Sequence, residues 1–246
     1  MIKRNYYKVV RVFPDPSSYF YIKNETMDSG RISYNESGWL STVNLEYSFD
    51  KVNWIRFNSN FYLPEDSYVY FRNTSGTFCN NEYQNGVFWI DDMSISLGGD
   101  VRTLFNYTDV DSVTAIPAYG FKRPFIINRG KIIDISNLSF RGITSIGAHG
   151  REDAFSQKVF TITKGVDLRD VTTLGDYALC QMYSFNSNLT EVYAPNVSTW
   201  DFSKTYDWLA DVASTGVVYK PSTLDIPTNE SSGIPSGWTT QDYPTI

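Results

Sequence analysis

The chain has 246 residues, a net charge of −6 and a pI of about 4.8, and aromatic residues make up 16% of it against 20% charged residues. The negative charge argues against a general nucleic-acid binder, because such proteins carry basic surfaces. A chain of this length buries a core without needing disulfides or metals. Its many Tyr, Phe, Asn, Ser and Thr residues favour strands and turns, so we expect a mainly β protein.

Residues 1–13 form a predicted basic arm with four positive charges and no acid, at Lys3, Arg4, Lys8 and Arg11. These charges interrupt the apolar core that a signal peptide needs, and no apolar stretch reaches the ~18 residues of a membrane span. We therefore expect neither an N-terminal export signal nor membrane insertion. Two interpretations of the arm stay open: a frayed end or extra edge strand, or an attachment arm that orders on an acidic partner or a neighbouring subunit.

Residues 14–101 are predicted to form an antiparallel β-sandwich. Apolar residues alternate with polar ones at Val43, Leu45, Tyr47 and Phe49, which is typical of a strand with one buried face. Residues 50–53 read as a turn. Further short aromatic and β-branched runs indicate more strands at the spacing of a sandwich, at residues 19–22, 54–57, 68–71 and 86–90.

Residues 126–246 are predicted to form a repeat domain, joined to the sandwich by a connecting or capping segment at 102–125. Residues 143–147 (ITSIG) recur 28 positions later as residues 171–175 (VTTLG), and a third copy begins at Val197. Periods of this length are typical of leucine-rich repeats. Since one copy is too small to bury its own apolar face, stacked copies would have to share a core.

Several segments resemble BspA-like leucine-rich-repeat proteins of Bacteroides-group bacteria. They are the repeat segments 171–179 (VTTLGDYAL) and 189–197 (LTEVYAPNV), the cap-like segments 216–221 (GVVYKP) and 234–239 (IPSGWT), and the sandwich-like segments 45–50 (LEYSFD) with Trp54 and 96–100 (SLGGD). Over about residues 20–246, the resemblance implies a β-sandwich followed by a short leucine-rich-repeat-like solenoid.

The same resemblance implies a function, because such modules occur in bacterial surface adhesins and in virion proteins of phages of that group, including crAss-like phages. The missing signal peptide and lipid-anchor cysteine and the few repeats favour a virion protein. We expect a non-enzymatic head or tail fibre or decoration subunit, assembled in the host cytoplasm. Its expected partners are capsid or tail proteins, further copies of itself, and a host-surface glycan or protein. The alternative is a surface adhesin or carbohydrate-binding module, and a glycoside-active enzyme ranks third.

Few residues suit catalysis or metal binding. His149 is the only histidine, so neither a catalytic triad nor a zinc site can be assembled around it, and we expect it in a repeat loop. Cys79 and Cys180 are too few and too distant for a disulfide framework and are expected to be reduced and separately packed. We therefore predict no cofactor and no metal.

Two acidic pairs deserve comparison with glycosidases, which need two carboxylates roughly 5–10 Å apart. Neighbours such as Asp91 and Asp92 point to opposite faces of a strand, and Asp109 with Asp111 lacks the further ligands of a calcium loop. We interpret both pairs as solvated loop acids.

The aromatic residues divide into expected core and expected surface. Three tryptophans are expected in the sandwich core, with stacking on sugar rings as the alternative: Trp39, Trp54 and Trp89. In the third repeat, Tyr206, Asp207 and Trp208 lie in a predicted loop and are our candidates for a ligand-binding surface.

Overall fold

The computed structural model describes residues 19–34, 44–73, 78, 87–156, 160–229 and 231–244. Within these residues the chain is mainly β with several sheets, as the composition predicts. Helical structure is limited to three short pieces in the described ranges: the 3-10 helices Val101–Leu104 and Val110–Ser112, and α1 (Phe202–Thr205). None of the described helices is long and apolar enough to cross a membrane.

The first half of the described chain contains eight strands. They are β1 (Phe20–Asn24), β2 (Gly30–Tyr34), β3 (Leu45–Ser48), β4 (Ile55–Arg56), β5 (Phe61–Leu63), β6 (Tyr68–Asn73), β7 (Phe88–Asp91) and β8 (Ile95–Asp100).

The second half adds nine strands within the residues that the structure describes. They are β9 (Ala115–Ile116), β10 (Phe125–Asn128), β11 (Ile132–Ser139), β12 (Ser145–Ile146), β13 (Lys164–Asp167), β14 (Thr173–Leu174), β15 (Glu191–Tyr193), β16 (Gly216–Lys220) and β17 (Trp238–Asp242).

Two sheets hold the first eight strands, in the orders β11-β8-β1-β6-β3-β4 and β10-β7-β2-β5. Buried rings join them: Phe88 of the second sheet lies 4.7 Å from Phe71 and 5.9 Å from Phe20, both in the first. These three side chains are fully buried. Burial of large rings contributes roughly 1.5–3 kcal/mol each, so this contact is a main source of stability for both sheets.

Strands from both sides of the predicted connecting segment share these two sheets. β10 pairs in parallel with β7, and β11 pairs in parallel with β8, whereas the other pairs in both sheets are antiparallel. Buried residues of the two halves also belong to one hydrophobic cluster. The division into an arm, a sandwich, a connecting segment and a repeat domain stays a prediction.

The alternating strand around Leu45 ends earlier than its pattern predicts. Leu45 and Tyr47 are buried, but Phe49 is 48% exposed because β3 stops at Ser48. The carboxylate of Asp50 accepts hydrogen bonds from the backbone N–H groups of residues 52 and 53, and these bonds hold its pKa below the ordinary value. The turn therefore begins one residue inside the predicted strand. Val43 lies outside the described residues.

The predicted repeat forms parallel pairs. Ser145 and Ile146 of β12 pair with residues 173 and 174 of β14, and on the other side with residues 115 and 116 of β9. A Cβ added to Gly147 would lie 2.6 Å from the backbone nitrogen of residue 118 in the preceding repeat. A Cβ added to Gly175 would lie 2.5 Å from the backbone nitrogen of residue 148. These glycines therefore permit the close approach of successive repeats. The copy at β9 escaped detection because Pro117 stands at the glycine position.

A second parallel sheet runs through the same repeats in the order β13-β15-β16-β17. Lys164, Glu191, Val217 and Thr239 occupy equivalent positions along it. The third predicted copy, from Val197, forms no strand. Asn196, the residue before it, donates a 2.7 Å hydrogen bond from its N–H to the carbonyl of Val171 in the second copy.

Candidate functional site

After β9, β12, β14 and α1 the chain makes a series of turns that we call the turn face. Its residues adopt the left-handed conformation at four-residue intervals, with φ between 40° and 65°: Tyr119, Arg123, His149, Asp153, Tyr177, Gln181, Phe185, Asp207 and Asp211. Backbone hydrogen bonds of 2.8–3.0 Å join Tyr119 to residue 148, His149 to residue 176 and Tyr177 to residue 203. Equivalent side chains of consecutive repeats therefore stack in columns.

The first column consists of the rings of Tyr119, His149 and Tyr177, which we call the aromatic column. Neighbouring ring centroids lie 5.0 Å apart, with interplanar angles of 6° and 12°. The side chain of Tyr177 is 45% exposed. His149 lies in a turn, as predicted, and its position between two parallel rings fixes the imidazole on the surface.

Charged groups border the aromatic column. The carboxylate of Glu152 lies 2.6 Å from Nδ1 of His149 and 2.8 Å from Nζ of Lys122. Burial tends to raise the pKa of Glu152, but the hydrogen bonds from Lys122 and His149 outweigh it and lower the pKa below its ordinary value. Glu152 therefore stays ionised at neutral pH and holds the imidazole in place.

A second column is polar and contains Arg123, Asp153, Gln181 and Asp207. Arg123 and Asp153 form an ion pair of 2.5 Å. The Asp153 side chain is almost fully buried, whereas the Arg123 side chain is partly exposed. Burial raises the pKa of Asp207, so this carboxyl titrates above its ordinary range. The candidate surface residue Asp207 is thus the last member of a column, and it is half-buried.

The three candidate surface residues of the third repeat have different environments. Tyr206 is 39% exposed and packs 5.5 Å from the ring of Phe202, which is 54% exposed. Trp208 is fully buried, and its indole N–H donates a 2.7 Å hydrogen bond to the carbonyl of Gly233. The prediction that Trp208 belongs to a ligand surface is therefore wrong, because its ring fills the interior and its only polar atom is already bonded.

The tryptophans of the first half also differ from expectation. Trp89 is 41% exposed, because in β7 its neighbours Phe88 and Ile90 point into the core and it points out. Trp54 is half-buried and its ring lies 4.0 Å from the guanidinium of Arg72. The prediction of a core position is wrong for Trp89, and Trp39 lies outside the described residues.

The interpretation of the two acidic pairs as solvated loop acids is partly wrong. Asp91 is not a solvated loop acid: it ends β7, is only 3% exposed and forms a 2.5 Å ion pair with Arg31. Burial opposes ionisation of Asp91, but the hydrogen bonds from Arg31 and its neighbours lower its pKa. Asp92, Asp109 and Asp111 are exposed, as predicted.

No group of three or more His, Cys, Asp or Glu side chains is placed to hold a metal ion within the ranges the structure describes. The four basic residues proposed for assembly lie outside those ranges: Lys3, Arg4, Lys8 and Arg11. The turn face, with its two columns, is the candidate functional site.

Cys180 is buried, and burial raises the pKa of its thiol to about 12. We expect that in a Cys79→Ser background the native protein will not react with a thiol reagent at pH 8, because the reactive thiolate is scarce and shielded. One thiol per chain should react after unfolding in denaturant. Rapid labelling of the native variant would show that the repeat around Cys180 opens readily.

The aromatic column was missed by sequence reasoning, although a signal for it exists. Tyr119, His149 and Tyr177 each stand two residues after the position that Gly147 and Gly175 occupy in their repeats. Three planar side chains at one repeat position predict a stack once the repeat is aligned. The copy containing Tyr119 was not recognised, so the alignment had only two members.

Comparison of the chain with protein-family models, with curated proteins and with solved structures finds no match.

Proposed function

We propose that this protein is a non-enzymatic structural and binding protein, built as a β-sandwich followed by a short leucine-rich-repeat-like solenoid. The observation that carries the proposal is the turn face, where stacked repeats bring equivalent side chains into partly exposed columns. Phe185, Phe202 and Tyr206 add exposed rings to the same repeats. Clustered exposed apolar side chains favour an interaction surface.

The architecture in this proposal is supported by two sets of contacts. Buried rings of Phe20, Phe71 and Phe88 pack the two sheets of the first half against each other, as in a sandwich. In the second half, parallel strands and turns recur at periods near 28 residues, as in a solenoid whose repeats share one core.

The proposed setting is a phage virion, as a head or tail fibre or decoration subunit that displays the turn face and attaches by its N-terminal region. Its proposed partners are capsid or tail proteins, other copies of this chain, and a glycan or protein of the host surface. The deciding experiment is mass spectrometry of purified particles. Detection of the chain at a fixed copy number supports the proposal, and its absence from particles of a phage that encodes it refutes the virion role.

Attachment by the arm yields a testable result. A variant that begins at Pro14 should melt at the temperature of the full chain but fail to join particles at moderate salt, because Lys3, Arg4, Lys8 and Arg11 supply the salt-sensitive attraction. Incorporation is measured by co-sedimentation with particles that lack the protein. A full-length variant with these four residues changed to Gln separates charge from length. Equal incorporation of the truncated and intact chains would exclude the arm as the attachment device.

The second candidate function is a surface adhesin or carbohydrate-binding module, and the aromatic column favours it because exposed rings are common sugar contacts. If the turn face binds the host surface, Tyr177→Ala should weaken binding of the pure protein to host-cell envelopes about tenfold, which is the loss of one well-packed contact. The matched control is Tyr62→Ala, since Tyr62 is 67% exposed on β5, away from the turn face. Equal binding by both variants would exclude the column from the interface.

A further inference from the structure

A groove of about 670 Å³ lies beside the chain segments that follow β11 and β13. Its walls include Arg141, Arg169, Asp170, Asn196 and Tyr243. This volume falls within the range of small-molecule sites, and the groove is not part of the turn face. Arg141 and Arg169 belong to a repeated sequence pattern, in which an acidic residue is missing before Arg141.

An Asp-x-Arg pattern occurs twice in equivalent places. Arg102 forms a 2.7 Å ion pair with Asp100, and Arg169 forms a 2.6 Å ion pair with Asp167. In both places the same carboxylate also accepts a hydrogen bond from the arginine's own backbone N–H, at 2.9 and 3.0 Å. Each arginine is thus neutralised within its own repeat.

The middle copy of the pattern lacks the acid. Ser139 pairs in the sheet with Asp100 and occupies the acid position before Arg141, and its Oγ accepts the Arg141 backbone N–H at 3.3 Å. Within the described residues no carboxylate lies within ion-pair distance of the Arg141 guanidinium, which is exposed. The local backbone arrangement is kept while the carboxylate is missing.

A second unpaired cation lies beneath the groove floor. Phe140 lines the groove, and the guanidinium carbon of Arg151 lies 3.8 Å from the centroid of its ring. The Arg151 side chain is fully buried and none of its three nitrogens has a hydrogen-bond partner. Because a charge in a poorly polarisable interior is weakly screened, Arg151 makes the potential in the groove more positive.

We propose that the groove binds the carboxylate of an acidic sugar, with Arg141 holding the carboxylate where Asp100 and Asp167 stand in the other two copies. The remaining groups suit a sugar. Asn196 offers an amide, and Asp170 has one oxygen bonded to the Gly142 N–H at 2.8 Å and the other available to accept a hydroxyl. Asp170 repels a second carboxylate, so one acid surrounded by hydroxyls fits better than a peptide with several acids. This inference does not depend on the virion role.

The test is a calorimetric or NMR titration of the full chain with glucuronate, glucose and triglutamate. Glucuronate should bind, more weakly as salt is added, and glucose should not bind at the same concentration. Ser139→Asp restores the missing acid beside Arg141 and should weaken glucuronate binding about tenfold or more, as should Arg141→Gln. Asp170→Asn should strengthen binding several-fold. Ser187→Asp, which adds the same charge outside the groove, should leave binding unchanged.

The titrations distinguish an acidic sugar from an acidic peptide as the ligand of the groove. Melting temperatures show whether Ser139→Asp folds, and Arg141→Gln provides the second variant if it does not. The proposal is overturned if glucuronate fails to bind the wild type, or if Ser139→Asp and Arg141→Gln both bind glucuronate with the affinity of the wild type. Binding of triglutamate without glucuronate also overturns it and assigns the groove to an acidic peptide.

Discussion

Leu174→Asp will lower the free energy of unfolding by about 4 kcal/mol, because it removes a buried apolar side chain and places a charge in the shared interior of the repeats. Leu174 is 6% exposed and pairs with Ile146 of the preceding repeat. The change will be measured as a shift of the denaturant midpoint followed by circular dichroism.

The neighbouring residue supplies the control. Thr173 is on the same strand but is exposed, so Thr173→Asp introduces the same charge one residue away without burying it. We expect a change within ~0.5 kcal/mol for this variant. Similar midpoints for the two variants would contradict the alignment of the repeats, because the register alone decides which of the two side chains points inward.

Arg151→Met will raise the free energy of unfolding by about 2 kcal/mol, since it replaces a buried charge that has no partner by an apolar side chain of similar length. The gain is limited by the loss of the contact between the guanidinium and the ring of Phe140 at 3.8 Å. The measurement is chemical denaturation at pH 7, with the exposed Arg141→Met as the matched substitution. A loss of stability in Arg151→Met would show that the guanidinium has a bound partner in solution.

The advantage of Arg151→Met should depend on pH. Burial lowers the pKa of Arg151 from its ordinary value in an unfolded chain to about 9. Between these values the unfolded chain binds a proton that the folded chain has lost, so the wild type gains stability as pH rises through this window. The difference between the two proteins is therefore complete below pH 9 and shrinks above it. Buried tyrosines such as Tyr21, whose pKa is raised to about 12 mainly by burial, lower the stability of both proteins as pH rises. This contribution cancels when the stability of the wild type is subtracted from that of Arg151→Met.

The predominance of β structure and the period of the repeats were predictable because both depend on local patterns. Residues 143–147 and 171–175 have similar side chains in the same order, which predicts two equivalent strands. The structure pairs these strands in register. What sequence alone missed depends on contacts between distant segments. Asp91 ends a strand and is buried because Arg31, sixty residues away, lies on the neighbouring strand. No local pattern reveals that partner.

The burial of the candidate surface residues also depends on contacts between distant segments. Tyr206 and Trp208 are two residues apart, in a segment with no strand alternation. The Trp208 indole is buried and bonded to residue 233, which is 25 positions away in the sequence. Arg151 is the clearest case. It aligns in the stacked turns with Phe121 and Leu179, both fully buried, so its position is set by the fold against the preference of its side chain.

The spacing of the stacked residues has a consequence for how such a chain changes over time. Residues 115, 145 and 173 are equivalent although 30 residues separate the first two and 28 the next two, so extra length is absorbed between the paired positions. Loss or duplication of one whole period would preserve every inward-facing side chain. Insertion of one residue within β12 would turn the Ile146 side chain outward. Divergence of this protein should therefore proceed by gain and loss of entire repeats and by substitution on their outer edges.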